Sequence, residues 1–410
     1  MTETQTSTPV RHAAFVFVFI TVLLDMLALG IIVPVLPKLV EGFLAGDTAR
    51  AAEIFGIFGT VWALMQFFCA PVLGAASDRF GRRPVILFSN FGLGLDYILM
   101  ALAPTIAWLF VGRVISGITA ASISTAHAYV ADVTPPERRA RAFGLLGAAF
   151  GMGFILGPAF GGVLGAIHPR LPFWVAAGFS LANAAYGLFV LPESLPAERR
   201  SGFSWGRANP VGALILLRSH PELSGLATAN FLVNLSHVVF PTVFVLFAGY
   251  RFGWDERAVG LTMALFGLAS MIVQAGLVGP VVAWVGERRA LLVGLLFGTA
   301  GMAIFGLATN GIVFCIGIPV MSLWGFAGPA TQGLMTRRVS PSEQGQLQGA
   351  NNSIMGIANL IGPSIFSLTF AYAIHSGRGP DLAGAPFLLA ALMLLASAAV
   401  AWHATRAQAR

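Results

Sequence analysis

Three ionisable residues stand deep inside long apolar runs of this chain: Asp25, Asp96 and Arg113. A charge at that depth in a bilayer costs several kcal/mol unless it is paired or meets water, so such residues face an interior. A carboxylate in that setting can exchange a proton as its surroundings change, which is the chemistry expected of Asp25; a hydrogen bond between helices is the plainer alternative. Asp96 and Arg113 carry opposite charges and form either a static brace between neighbouring helices or a switching, substrate-facing pair. The turn between their helices centres near 104–105, so each lies about 13 Å below it at 1.5 Å per residue. Asp25 lies nine residues before Pro34, which gives the same depth of about 13 Å.

The elements that hold these residues follow from composition. Of 410 residues, 57% are apolar and 10% charged, with a mean hydropathy of +0.81, whereas a soluble domain carries roughly 25% charged residues. The expected class is all-α and transmembrane. Apolar runs fall near 13–34, 53–75, 85–103, 106–129, 141–165, 172–191, 222–247, 256–281, 290–308, 311–334, 345–370 and 384–404, which predicts twelve helices. The expected domains are a first six-helix half over 1–191, a polar cytoplasmic linker over 192–221 with Arg199, Arg200, Arg207 and Arg218, and a second half over 222–410. With both ends inside, 17 of the 24 cations fall on the cytoplasmic side and six on the other, among them Lys38, Arg251 and Arg378, leaving Arg113 in a span. The positive-inside rule then places both termini in the cytoplasm. The net charge of +7 is accounted for by topology, and no nucleic-acid partner is expected. The first apolar run follows a short polar start and lacks a small-residue cleavage site, so it reads as a span and not a removed leader.

Several functions fall with the same reading. Cys69 and Cys315 are too few and too dry for a disulfide framework or a thiolate metal site. Lys38 is the only lysine and is not in a G-x-x-x-x-G-K-[ST] loop, so no nucleotide is bound that way. No H-E-x-x-H, G-x-S-x-G or clustered His/Cys set is present, so no enzyme, cofactor or metal is expected.

The halves repeat at an offset of 205: Gly74-Ala75-Ala76-Ser77-Asp78-Arg79-Phe80-Gly81-Arg82-Arg83 returns over 279–288, and Gly157-Pro158 returns as Gly362-Pro363. Even-numbered halves with parallel repeats leave a cavity at the midplane. The offset carries Asp25 to Asn230, Asp96 to Gly301 and Arg113 to Ile318. The second half therefore offers a neutral wall of Asn230, Asn234, His237 and Gln274, while the first handles protons. A lone helical histidine such as His237 or His127 is otherwise a hydrogen-bonded packing residue.

The loop Gly74 to Pro84 resembles the signature between helices 2 and 3 of the major facilitator superfamily. Gly153-Phe154-Ile155-Leu156-Gly157-Pro158-Ala159-Phe160-Gly161-Gly162 resembles the helix 5 motif of its drug/proton antiporters. Leu24-Asp25, Pro34-Val35-Leu36-Pro37, Leu64-Met65-Gln66, Leu95-Asp96-Tyr97 and Gly112-Arg113 are similar to the TetA-type tetracycline exporters. The resemblance implies a major facilitator fold and proton-coupled antiport of a small organic compound by alternating access. It also implies substrate contact for Gln66 and Gln274, a cytoplasmic gate of Asp78, Arg79, Arg82, Arg83 and Asp132, and proton coupling by Asp25, Asp96 and Arg113. In that branch, close packing of Gly153, Gly157, Pro158, Gly161 and Gly162 also seals the protein. Those exporters carry a histidine on helix 8 and an aspartate on helix 9, where this chain has Ser270 and Gly298; this argues against a metal-bound tetracycline as cargo. The expected setting is a bacterial inner membrane, in a monomer whose partners are lipid, protons and a small organic substrate. An uptake symporter for a metabolite, and a receptor or membrane enzyme, remain the alternatives.

Overall fold

The computed structural model describes residues 8–120, 122–135, 138–202, 216–217, 220, 223–340, 343–375 and 382–406. The sequence readings at Arg207, Arg218 and Arg378 lie outside these residues. No strand occurs among the described residues, and twelve helices are long and apolar enough to cross a membrane. They are α1 Val16–Phe43, α2 Thr48–Phe80, α3 Arg82–Leu102, α4 Ile106–Val133, α5 Arg141–Ile167, α6 Leu171–Val190, α7 Ser224–Phe252, α8 Glu256–Val285, α9 Glu287–Leu307, α10 Gly311–Thr336, α11 Gln344–Ile374 and α12 Ala385–Arg406. Helices suit these runs because every interior backbone group is satisfied within the segment, as hydrocarbon demands.

The ends are set by residues that release or capture the backbone. Asp255 caps α8 by accepting from the Ala258 amide at 2.8 Å, and Asn310 caps α10 by accepting from Val313 at 3.0 Å. Gly253 closes α7 in the left-handed region at φ 69°. Gly81 between α2 and α3 and Gly286 between α8 and α9 have φ values of 108° and 80°, so the internal repeat recurs in backbone conformation.

The chain divides into two compact units, residues Met1–Val35 with Leu64–Asn209, and Leu36–Ala63 with Pro210–Arg410. In the first, α5 lies against α1 through small residues. A Cβ on Gly157 would sit 2.6 Å from the Gly30 Cα, one on Gly153 would sit 2.9 Å from the Leu27 nitrogen, and one on Gly161 would collide with the Ile31 carbonyl. Pro158 borders the same contact, 3.0 Å from where a Cβ on Gly30 would lie, and Gly162 is buried beside it. Close approach of this kind is how helices associate where lipid removes the hydrophobic drive. In the second unit the equivalent glycine, Gly362 on α11, packs on Val238, whose Cβ would lie 2.8 Å from a Cβ added at Gly362. The N-terminal part of α2 belongs to this unit, where Gly59 abuts Pro363 and Thr60 Oγ1 meets Ser364 Oγ at 2.8 Å.

Candidate functional site

Asp25 and Asp96 are the two buried carboxylates among the described residues, 3% and 0% exposed. Asp25 projects from α1 into a polar nest built by α3 and α6. The Asn183 amide donates to Asp25 Oδ1 at 2.9 Å and to the Thr21 carbonyl at 3.0 Å. With the Asn90 amide nitrogen turned toward Asp25, it donates to both carboxylate oxygens, at 3.0 and 3.1 Å, and the Asn90 oxygen accepts from Asn183. Carboxamides thus donate to the acid from two helices, and Asn183 Oδ1, which accepts no hydrogen bond here, stands ready as an acceptor.

Arg113 reaches from α4 to α3, donating from Nη2 to Asp96 Oδ2 at 3.3 Å and to Met100 Sδ at 3.2 Å. Gly112 makes room for the carboxylate, since a Cβ there would lie 2.5 Å from Asp96 Oδ1. The pair is incomplete: Asp96 Oδ1 and Arg113 Nε are buried without a hydrogen-bond partner. Tyr97, fully buried, lies within electrostatic reach of Asp96, Arg113 and Asp25, which brings the three predicted charges into one neighbourhood of the first unit. Gln66 is half-buried on α2 in the same unit.

At the junction of α2 and α3 Arg82 is the centre. Its guanidinium pairs with Asp78, donates from Nε to Asp132 Oδ2 at 3.1 Å and from Nη1 to Ser77 Oγ at 2.7 Å. Glu193, just after α6, accepts from the Arg82 and Arg83 amides at 2.8 and 3.2 Å, so it caps the start of α3. Arg79 lies over the Phe80 ring at 5.2 Å and Arg83 donates to the Leu188 carbonyl. Of the three cations expected at the gate, Arg82 is the one that joins the acids.

The second unit is organised by neutral groups. Asn234 donates to Asn230 Oδ1 at 3.0 Å, Asn230 to Asn351 Oδ1 at 3.1 Å, and Asn351 to Gln332 Oε1 at 3.2 Å. This amide ladder ties α7, α11 and α10 together. His237 and Gln274 are exposed, and the His237 ring stands 5.3 Å from that of Trp324. Gly298 lies against Trp324, whose Cγ is 2.9 Å from where a Cβ would be.

The Major Facilitator Superfamily profile matches residues 18–363 and 226–408. The chain belongs to the Major Facilitator Superfamily. It is a twelve-span membrane protein similar to the class C tetracycline resistance protein of Escherichia coli, at 37% identity over 369 residues, 89% of this chain and 92% of that one. The class B protein of Escherichia coli is 36% identical over 86% of this chain and 87% of its own length. Multidrug resistance protein 2 of Bacillus subtilis is 26% identical over 94% and 93%. Among solved structures, the nucleoside transporter NupG superposes with a TM-score of 0.77 at 12% identity, covering 97% of this chain and 100% of that one. The human organic anion transporter MFSD10 gives 0.69 at 24%, covering 96% and 100%. At these identities the structures speak to fold.

The partners of the buried and junction charges are not specified by residue type alone. Asn90, Asn183, Glu193, Asn351 and Gln332 were each visible as polar residues in or beside apolar runs, but their pairing depends on helix register. Gly298, expected to mark a lost carboxylate, is occupied by the indole of Trp324. A side chain there would displace that ring.

Proposed function

We propose that this protein is a proton-coupled antiporter that exports a small organic compound across a bacterial inner membrane by alternating access, working as a monomer with both termini in the cytoplasm. The observation that carries the reading is the placement of both buried carboxylates, Asp25 and Asp96, in one unit, while the other holds neutral amides and rings. Tetracycline resistance and multidrug resistance proteins as relatives support a drug-like cargo. In this reading Asp25 carries the proton, held in place by Asn90 and Asn183, and Asp96 with Arg113 senses the state of the cavity. Gln66, Asn230, Asn234, His237 and Gln274 meet the cargo, and the Arg82 cluster with Asp78 and Asp132 secures the cytoplasmic face. The moving bodies are the six-helix halves 1–191 and 222–410, with 192–221 as the cytoplasmic linker.

The test is Asp25→Asn in everted vesicles, with efflux of a drug panel read against an imposed pH gradient. The amide keeps the shape but cannot titrate, so proton-driven net transport should stop while counterflow persists. Unchanged export in the variant removes Asp25 from the mechanism. Labelling of a cysteine at Ser201 from outside intact cells would overturn the topology.

A further inference from the structure

The internal repeat changes sign at one end of the second unit. The offset of 205 carries Arg82 to Glu287 and Asp132 to Arg337. The pair is remade with its charges exchanged: Arg337 Nη2 donates to Glu287 Oε1 at 2.9 Å, where Arg82 Nε donates to Asp132 Oδ2 at 3.1 Å. The other two acids of the first cluster are lost, Asp78 becoming Ala283 and Glu193 becoming Ala398. Cations are kept or gained, since Arg83 recurs as Arg288, Pro84 gives way to Arg289 and Val133 to Arg338.

Three helix ends close on one another here. Arg288, at the start of α9, donates from Nε to Thr405 Oγ1 on α12 at 3.1 Å, and its guanidinium carbon lies 5.0 Å from the centre of the Trp402 ring. Arg338, just after α10, donates to the Ala404 carbonyl of α12 at 3.2 Å. Arg337 joins the same end of α10 to Glu287 of α9, where a Cβ on Gly333 would lie 2.6 Å from Glu287 Oε1. With the exposed Arg289 and Arg406 the junction holds five cations and one acid, a net of +4. The next acid along the chain, Glu343, accepts from the Ser340 amide at 3.0 Å and faces His220 at 3.7 Å. Among the described residues no carboxylate pairs with Arg288, Arg289 or Arg406. Arg288 is half-buried and held by its Nε and its ring-facing surface, while its two Nη groups donate to no group among the described residues. A planar guanidinium fixed in this way presents a fork that matches a phosphate.

We infer that the junction of α9, α10 and α12 binds the headgroup of an anionic phospholipid, with Arg288 meeting the phosphate, Trp402 and Thr405 positioning Arg288, and Arg289 and Arg406 adding attraction. The level of the site favours a lipid over a soluble anion. Trp402 is 47% exposed and Trp284, at the end of α8, is 87% exposed; indoles concentrate where hydrocarbon meets headgroups. Basic pockets between helix ends at that level take anionic headgroups, and each cation near the surface strengthens the attraction. The inference holds whatever the cargo, the coupling ion or the sidedness of the protein.

The experiment is lipid binding to the purified protein in neutral detergent, read by native mass spectrometry, with dioleoyl phosphatidylglycerol against dioleoyl phosphatidylcholine. The anionic lipid should bind at least about 10-fold more tightly. Arg288→Gln should weaken it at least about 5-fold. The double variant Arg289→Gln with Arg406→Gln should do the same, and stands in if Arg288→Gln fails to melt like wild type without lipid. Trp402→Leu keeps every cation but removes the surface that holds Arg288, so it should weaken binding by about 3-fold or more, a loss that net charge alone does not produce. Arg199→Gln, which removes an exposed cation outside the junction, should stay within about 2-fold. Inorganic phosphate should displace no more lipid than chloride at equal ionic strength. Equal binding of the two lipids, wild-type affinity in a folded junction variant, or an equal loss in Arg199→Gln overturns the inference. Displacement by phosphate beyond that by chloride also overturns it, by making the junction a site for a soluble anion.

Discussion

Removing Asp96 and Arg113 singly and together separates a brace from a working pair. At 3.3 Å, two unit charges at an effective dielectric of 20 attract by about 5 kcal/mol. Part of this offsets their desolvation, and breaking a buried pair by deleting one partner costs about 3–5 kcal/mol. Asp96→Asn leaves Arg113 facing an amide and Met100, and Arg113→Gln leaves a carboxylate that is 0% exposed. Each single variant should therefore melt well below wild type, the Arg113 variant more so because its orphaned charge is the more buried. The double variant Asp96→Asn with Arg113→Gln has no unpaired charge and should regain much of the loss, with a coupling of about 1–3 kcal/mol. Stability is read by thermal melting of purified protein and function by proton-driven efflux in everted vesicles. The double variant should be stable but strongly impaired. Additive losses of stability would refute the pairing, and wild-type efflux from the double variant would leave the pair as packing alone.

Gly157→Ala should destabilise by about 1–3 kcal/mol, because its Cβ meets the Gly30 backbone at 2.6 Å and not a side chain that can turn away; a melting curve unchanged from wild type would contradict the close contact of α1 and α5. Asn183→Leu should cost about 1–3 kcal/mol by stripping donors from Asp25 and the Thr21 carbonyl, and should depress proton-driven efflux beyond what its stability explains. Glu193→Ala should cost about 1 kcal/mol and speed proteolysis within 76–84, since the α3 amides lose their acceptor. Equal cleavage rates would show that Glu193 does not secure that loop.

The helices were legible because apolar run length alone sets them, and the structure extends most of them at the ends. The run read as 53–75 is the helix Thr48–Phe80, since backbone hydrogen bonding continues into polar residues such as Asp78 and Arg79 that sit beyond hydrocarbon. The three central charges were legible from their cost in lipid. Their partners were not: Asn90 and Asn183 lie on different helices from Asp25, and which faces meet depends on crossing geometry that one sequence does not specify. Nor were the π-turn at Val273–Leu277 and the 3-10 turn at Leu323–Phe326 visible, because these forms differ from the α-helix by little energy and packing decides among them. The joining of 36–63 to the second unit was hidden for the same reason: only the fold supplies Pro363, Ser364 and Ser367 as what Gly56, Gly59 and Thr60 meet.

The two buried acids are dressed differently, and this bears on how many protons an export cycle needs. Asp25 is held by carboxamides, which can accept or donate as the acid gains or loses its proton, whereas Asp96 faces a guanidinium that cannot give its proton up. A proton entering down about 100 mV and one pH unit releases about 3.7 kcal/mol, enough for roughly a 500-fold gradient of a neutral substrate at one-for-one exchange. One titrating carboxylate is therefore sufficient for an efficient exporter. Asp96 is then free to use its ion pair as a sensor, and its unsatisfied Oδ1 beside Gly112 leaves that pair a second arrangement to move into. A neutral second unit fits the same scheme, because a cargo wall without charge does not compete with Asp25 for the proton that drives the cycle.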